Sequence, residues 1–252
     1  MSAYECGTPP LKTTLFSALV DDAGLFPPTS MHMDEALARH QRDLDAGHPV
    51  LTHRFLCPTS RLDGLRRQAQ QPRLIGLIVD TETLPDFSDL AVDFVESREI
   101  RPVPENVRLF VEVHPRKIVH VPHGVGLKVR CGGMTADAFP SVAELAEFIT
   151  YCAEHDQPFK ATAGLHHAVR HFDPSLGVDR HGFLNLVLAV CAAVEKRDPM
   201  RVLASTDVGE LARQAREVPD ETAERARRLL VSYGSCSTAA PIDDLKTLGL
   251  DA

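Results

Sequence analysis

The sequence has no CxxC pair, no HExxH-type motif, no long basic stretch and no apolar run long enough to cross a bilayer. Each absence removes a class of protein. The six cysteines, Cys6, Cys57, Cys131, Cys152, Cys191 and Cys236, are scattered. That speaks for reduced thiols in a cytoplasm and against a disulfide framework or zinc knuckle. Lys and Arg total 27 against 35 Asp and Glu, a net charge of -8. Such a chain gains nothing from counterion release on nucleic acid. The cluster Arg225, Arg227, Arg228 reads as the solvated face of a helix. The longest apolar stretch, Phe183 to Val194, is interrupted by Asn185 and reads as a buried helix, not a membrane span. The first ten residues lack the basic start and apolar core of a secretion signal. Repeats, low-complexity tracts and a clear linker are also missing. The expectation is one cytoplasmic domain over residues 1–252 with no metal, no cofactor, and no nucleic-acid or membrane partner.

What is present is an alternation of apolar runs and helical patterns, the mark of βα units on a parallel sheet. Met31 to Ala46 reads as a helix stopped by Gly47. Strands are expected at Val50–Cys57, Leu74–Asp80, Ala91–Glu96, Val107–Val113, Val125–Cys131, Pro158–Ala163, Arg201–Ser205 and Leu229–Tyr233. Ser141 and Glu144 have capping-box spacing ahead of a helix with Val142, Leu145, Phe148, Ile149 and Cys152 on its apolar face. The fold class is therefore α/β, a (β/α)8 TIM-type barrel. Thr81 to Ser88 and Pro115 to Gly124 are too short for the helices such a barrel normally carries, so residues 81–124 are where it would be incomplete or distorted. Phe183 to Val194 is apolar on nearly every side and needs cover on both faces, which a homo-oligomer partner would supply.

Two strands carry charges that an apolar strand does not hold without a partner or a polar cavity. In Gly126-Leu-Lys128-Val-Arg130-Cys-Gly132-Gly133, Lys128 and Arg130 share a face, and the glycines let backbone N–H groups approach a ligand. In Pro158-Phe-Lys160-Ala-Thr162-Ala-Gly164-Leu-His166-His167, Lys160, Thr162 and Gly164 share a face and the strand end presents two histidines. One helix joins the two strands, so they are expected side by side. Crowded cations and burial lower a lysine's pKa, and a partly neutral lysine attacks carbonyls. Arg130 would hold a carboxylate or phosphate, and His166 or His167 would move protons.

Glu112 shares a face with His114 and is a candidate partner for a lysine. Asp80 ends its strand, a common place for a catalytic or binding carboxylate. Gly234, Ser235 and Ser237 form a small-residue loop before a helix start, a candidate anion site. Asn185 needs a hydrogen-bond partner, which His181 four residues earlier could supply. Asp21 and Asp22 precede Ala-Gly24-Leu-Phe-Pro27-Pro28, read as a rigid turn closing over the pocket. Cys236 reads more readily as a packing thiol than as a nucleophile.

The segments Ala23-Gly-Leu-Phe-Pro-Pro28, Lys128-Val-Arg-Cys-Gly-Gly133, Lys160-Ala-Thr-Ala-Gly-Leu-His-His167, His181-Gly-Phe-Leu-Asn185 and Ser232-Tyr-Gly-Ser-Cys-Ser237 together resemble an uncharacterised family of bacterial barrel proteins. That resemblance spans most of the chain and implies no activity. A looser likeness, to deoxyribose-phosphate aldolase, rests on Lys160-Ala-Thr-Ala-Gly164. It implies a Schiff-base lysine tuned by a second lysine. The aldolase carries that second lysine on the following strand, whereas Lys128 precedes the motif here, which leaves open which lysine is the nucleophile.

The leading expectation is a Schiff-base lyase or aldolase for a small anionic carbonyl metabolite, with Lys160 as nucleophile, Lys128 lowering its pKa and Arg130 binding the anion. The alternatives are a metal-dependent hydrolase or lyase using His167 and His171, a cofactor-free isomerase or cyclase using the lysines as acids and bases, and a non-catalytic anion-binding barrel.

Overall fold

Each short apolar run places one side-chain row inside a ring of strands and the other against an outer layer, and the ring closes. The computed structural model describes residues 13–117 and 120–251. Cys6 and the first ten residues, read above for redox state and secretion, lie outside these. The elements run α1 (Thr13–Phe16), β1 (Val20–Asp22), α2 (Met33–Ala46), β2 (Leu51–Pro58), α3 (Leu62–Arg66), β3 (Ile75–Ile78), β4 (Val92–Ser97), β5 (Arg108–Val113) and β6 (Gly126–Arg130). They continue with α4 (Val142–Glu154), β7 (Phe159–Thr162), β8 (His171–Asp173), β9 (Val178–Arg180), α5 (Phe183–Val194), α6 (Met200–Ala204), α7 (Val208–Glu217), α8 (Asp220–Leu229), β10 (Leu230–Ser235) and α9 (Ala239–Thr247). Eight strands form a closed parallel barrel in the order β1-β10-β7-β6-β5-β4-β3-β2, and β8 and β9 form a separate antiparallel ribbon.

The barrel is complete, although its middle third lacks helices. Among the described residues no helix follows β3, β4 or β5. The connecting loops instead lay Phe87, Val107 and Val121 into the same outer core as the strand residues Leu77, Val95, Leu109 and Val111. The short links expected over residues 81–124 thus remove helices without opening the sheet.

Two expectations are corrected. Arg201–Ser205 is not a strand: Met200–Ala204 is helical, begun by Pro199 at its N-cap. The eighth barrel strand is Val20–Asp22, just before the segment read as a turn and not among the expected strands. The capping box at α4 is present, with Ser141 Oγ accepting from the Glu144 amide at 3.2 Å and the Ser141 amide donating to Glu144 at 2.7 Å.

All residues of α5 are buried, and its cover comes from α4, α6, α7 and α8 of the same chain. His181 does not serve Asn185. Asn185 Oδ1 accepts the Arg170 amide, and its Nδ2 donates to the carbonyls of Val202 and Ser205, each at 2.8 Å. His181 Nε2 instead meets the Pro140 carbonyl at 2.7 Å.

Inside the ring a small apolar layer forms from Ala23, Leu56, Phe94 and Phe110. Gly76 and Gly126 make room for it, because a Cβ on either would collide with the Phe94 or Phe110 ring. Buried charged side chains, Asp21, Arg54, Glu96, Lys128 and Lys160, share the interior with it, Arg54 and Lys160 lying over the Phe94 ring.

Candidate active site

Register places the two lysines together. Lys128 on β6 stands opposite Lys160 on β7, and Glu112 on β5 stands opposite Lys128. Both lysines point into the barrel and are buried. Glu96, from β4, lies between them: its Oε2 is 2.6 Å from Lys128 Nζ and its Oε1 is 3.7 Å from Lys160 Nζ. The strands are side by side as expected and both ammonium groups lie against Glu96, but the single pocket expected to take Lys128, Arg130 and Lys160 is lined by only the first two.

Their surroundings differ. Lys160 is fully buried, donates to Ser232 Oγ at 2.6 Å, pairs with Asp21 and sits 4.1 Å from the centre of the Phe94 ring. Burial pulls its pKa below the ordinary lysine value, and Asp21 and Glu96 offset this only in part. Lys128 also suffers desolvation, but Glu96 and Glu112, the latter at 3.1 Å, outweigh it and raise its pKa.

These pairs belong to a longer column of alternating charge. Arg108 meets Asp93 at 2.6 Å, Asp93 meets Arg54 at 2.7 Å, and Arg54 meets Asp21 at 2.5 Å. Asp21 meets Lys160, then Glu96, Lys128 and Glu112 follow, and Arg130 closes the series 3.8 Å from Glu112. Burial raises the pKa of Asp21, but the Lys160 and Arg54 charges more than reverse this and hold it at about 2.

A cavity of about 380 Å³ opens above the column. Its polar lining includes Glu96, Lys128, Arg130, Thr162, His166 and Cys236, and its walls include Gly133, Gly164 and Gly234. It lies where the barrel strands end, the usual place for chemistry in this architecture. Lys160 lies beneath it and is not among the lining residues. Glu112 and Arg130 also border a second cavity of about 280 Å³ beside His114.

The remaining sequence candidates separate clearly. His166 faces the cavity, whereas His167 is exposed, lies 3.4 Å from Asp244 and stacks edge-on against His171 outside the barrel. Asp80 accepts from Thr59 Oγ1 and the Ser60 amide, each at 2.8 Å, and does not line the main cavity. Ser235 Oγ donates to the Ser237 carbonyl at 2.6 Å, and Ser237 Oγ accepts the Ala240 amide at 3.2 Å as α9 begins. Gly132 and Gly164 let two rim loops touch: a Cβ on Gly132 would come within 2.9 Å of Gly164 Cα. Among the described residues no group of three or more His, Cys, Asp or Glu side chains is placed to hold a metal, so His167 and His171 lack the rest of a ligand set.

Sequence reasoning passed over Glu96, Asp21, Ser232 and Arg54 as site residues, and Arg180, which also lines the main cavity. Glu96 carried a usable signal, a carboxylate two positions from Phe94 within an apolar strand, since such a group is rarely buried without a partner. Cys236 Sγ lies 3.7 Å from His166 Nδ1. Burial raises its pKa, but hydrogen bonds from His166 and Thr29 and the His166 charge bring it to about 7.

No helix among the described residues is long and apolar enough to cross a membrane. The barrel is compatible with an aldolase-like enzyme. Comparison with protein-family models, curated proteins and solved structures finds no match.

Proposed function

We propose that this protein is a lysine-dependent lyase of the aldolase type, forming a Schiff base between Lys128 and a small carbonyl compound that carries a carboxylate or phosphate. One observation carries the reading: two lysines share Glu96 inside the barrel, and of the two only Lys128 lines the cavity. This reading departs from the aldolase likeness, which puts the Schiff-base lysine in the Lys160 motif; because Lys160 lies beneath the cavity, it takes the tuning role here.

The chemistry follows from the contacts. Lys128 gives a proton to Glu96 and its nitrogen attacks the carbonyl carbon. Glu96 returns that proton to the carbonyl oxygen, the nitrogen passes its second proton to Glu112, and the carbinolamine hydroxyl leaves as water with the proton Glu112 has just taken. The resulting iminium is still a cation, so both carboxylates end ionised beside a positive partner. The iminium accepts the electron pair of the breaking carbon–carbon bond and becomes an enamine, as the β-hydroxyl passes its proton to Glu112 and its carbon leaves as an aldehyde or ketone. That proton then goes to the enamine carbon, and water hydrolyses the iminium to free Lys128. Lys160 disfavours a second positive charge nearby and eases the first proton transfer. Arg130 holds the anion, since its guanidinium is half exposed and only loosely paired with Glu112. His166 at the rim exchanges protons with solvent.

The test is borohydride reduction in the presence of 2-oxo acids and phosphorylated aldehydes, followed by peptide mass spectrometry. The expected adduct is on Lys128, absent from Lys128→Arg and not found on Lys160. Turnover of a substrate that leaves no adduct on either lysine would reject this reading. The raised pKa of Lys128 favours a second one. There Lys128 stays an ammonium that stabilises an enolate while Glu112 moves the proton, which is isomerase chemistry without a covalent intermediate.

A further inference from the structure

The cavity has two unlike walls on opposite strands. In the ring, β6 and β2 are four places apart and so face each other across the axis. β6 supplies Lys128 and Arg130, followed by Met134, with Thr162 from the adjacent β7; Cys236, after β10, stands midway between the two walls. β2 supplies Leu56. Its neighbours add Ile78 from β3 and, after β1, Ala23, Phe26, Pro27 and Pro28. None of these six side chains can make a hydrogen bond, and the two prolines bring no backbone N–H.

We infer that the substrate is amphipathic: a short alkyl or aryl carbonyl compound whose anionic end meets Arg130 and whose hydrocarbon body lies on the Leu56 wall. This rests on reading the cavity as the Lys128 site, and it narrows the substrate class. A polyhydroxylated chain held between the same walls would turn hydroxyls toward Leu56, Ile78 and Phe26, where they lose water and gain no partner. Such a mismatch weakens binding on the order of tenfold or more per hydroxyl. A hydrocarbon chain gains instead, by about fourfold for each methylene buried, or ~0.8 kcal/mol.

Straight-chain carboxylates test this without Schiff-base chemistry, because they have no ketone or aldehyde. Calorimetric titration of the wild-type protein with acetate, butanoate, hexanoate and octanoate should show affinity rising steadily with length until the wall is covered. Hexanoate should bind at least tenfold more tightly than gluconate, which has the same number of carbons and bears hydroxyls. Ile78→Thr should flatten the rise. Leu56→Ala should do so too, provided it folds, and the wild-type series decides the matter if it does not. Affinity independent of length, gluconate binding as tightly as hexanoate, or no binding by any member would overturn the inference.

Trapping separates this failure from that of the Schiff base. A rising carboxylate series with no trapped 2-oxo acid keeps the amphipathic pocket and removes the covalent step. Trapping at Lys128 beside a flat series does the reverse.

Discussion

Two lysines one strand apart acquire opposite characters from their neighbours. Lys160 is enclosed and held by Asp21 and Ser232, so its ammonium is structural as well as electrostatic. Lys160→Met leaves Asp21 buried with Arg54 as its remaining charge partner, and we expect urea denaturation to show a loss of ~3–5 kcal/mol. Arg130→Gln removes a half-exposed group with one loose ion pair and should cost less than ~1 kcal/mol in the same measurement. Asp21 also sets an acid limit. Its folded pKa of about 2 lies below the ordinary 3.8. A depressed carboxyl contributes stability above the higher value and loses it as pH falls toward the lower. About 2 kcal/mol should therefore disappear between pH ~4 and ~2. Urea midpoints across that window should fall less steeply in Asp21→Asn, whatever its stability at neutral pH. Cys236 should alkylate with iodoacetamide at pH 7, whereas Cys57, Cys131 and Cys191, pushed by burial to about 12, stay unmodified in the folded protein. His166→Ala should slow that reaction by raising the thiol pKa, and an unchanged rate would separate the two side chains chemically.

At the scale of elements, the sequence was readable where local pattern decides structure and opaque where distant partners do. β6 and β7 were clear because their charges alternate with apolar residues in the period of a strand. α4 was clear because its cap is written in Ser141 and Glu144. Ser141→Ala should lower the thermal midpoint by an amount equivalent to ~1 kcal/mol. β1 was hidden because two of its three residues are aspartates. Asp21 faces the interior and is held by Lys160 and Arg54, while Asp22 faces α2 and is held by Arg39 and His40, all at least 17 positions away along the chain. α6 was hidden for another reason: Arg-Val-Leu-Ala is too short for its period to distinguish a buried helical turn from a strand. The loops over β3 to β5 were recognised as short, but their ability to replace helices depends on where Phe87, Val107 and Val121 land. Phe87→Ala should cost ~3–5 kcal/mol in chemical denaturation, as a core phenylalanine does. A loss below ~1 kcal/mol would show that the loops merely cover a sheet that stands without them.

Across the whole molecule, the proposed chemistry divides the barrel by side. The side chains given reactive roles, Glu96, Glu112, Lys128 and Arg130, come from β4, β5 and β6. The strands from β1 to β3 supply the inert wall. The charges within the barrel belong to neither side alone, since Asp21 comes from β1, Glu96 from β4 and Lys160 from β7. Ring closure matters most to Lys160, which gains Asp21 only when β1 joins β10; Lys128 has Glu112 on the adjacent β5 without it.

The column from Arg108 to Arg130 has a consequence for how this interior can vary. Its five cations and four carboxylates alternate, so deleting one interior member takes a partner from two neighbours of opposite sign, while deleting an adjacent pair leaves the net charge of the column unchanged. Parity, more than the identity of any one side chain, governs what the lumen tolerates. Descendants that lose Lys160 should be found to have lost Asp21 or Glu96 with it.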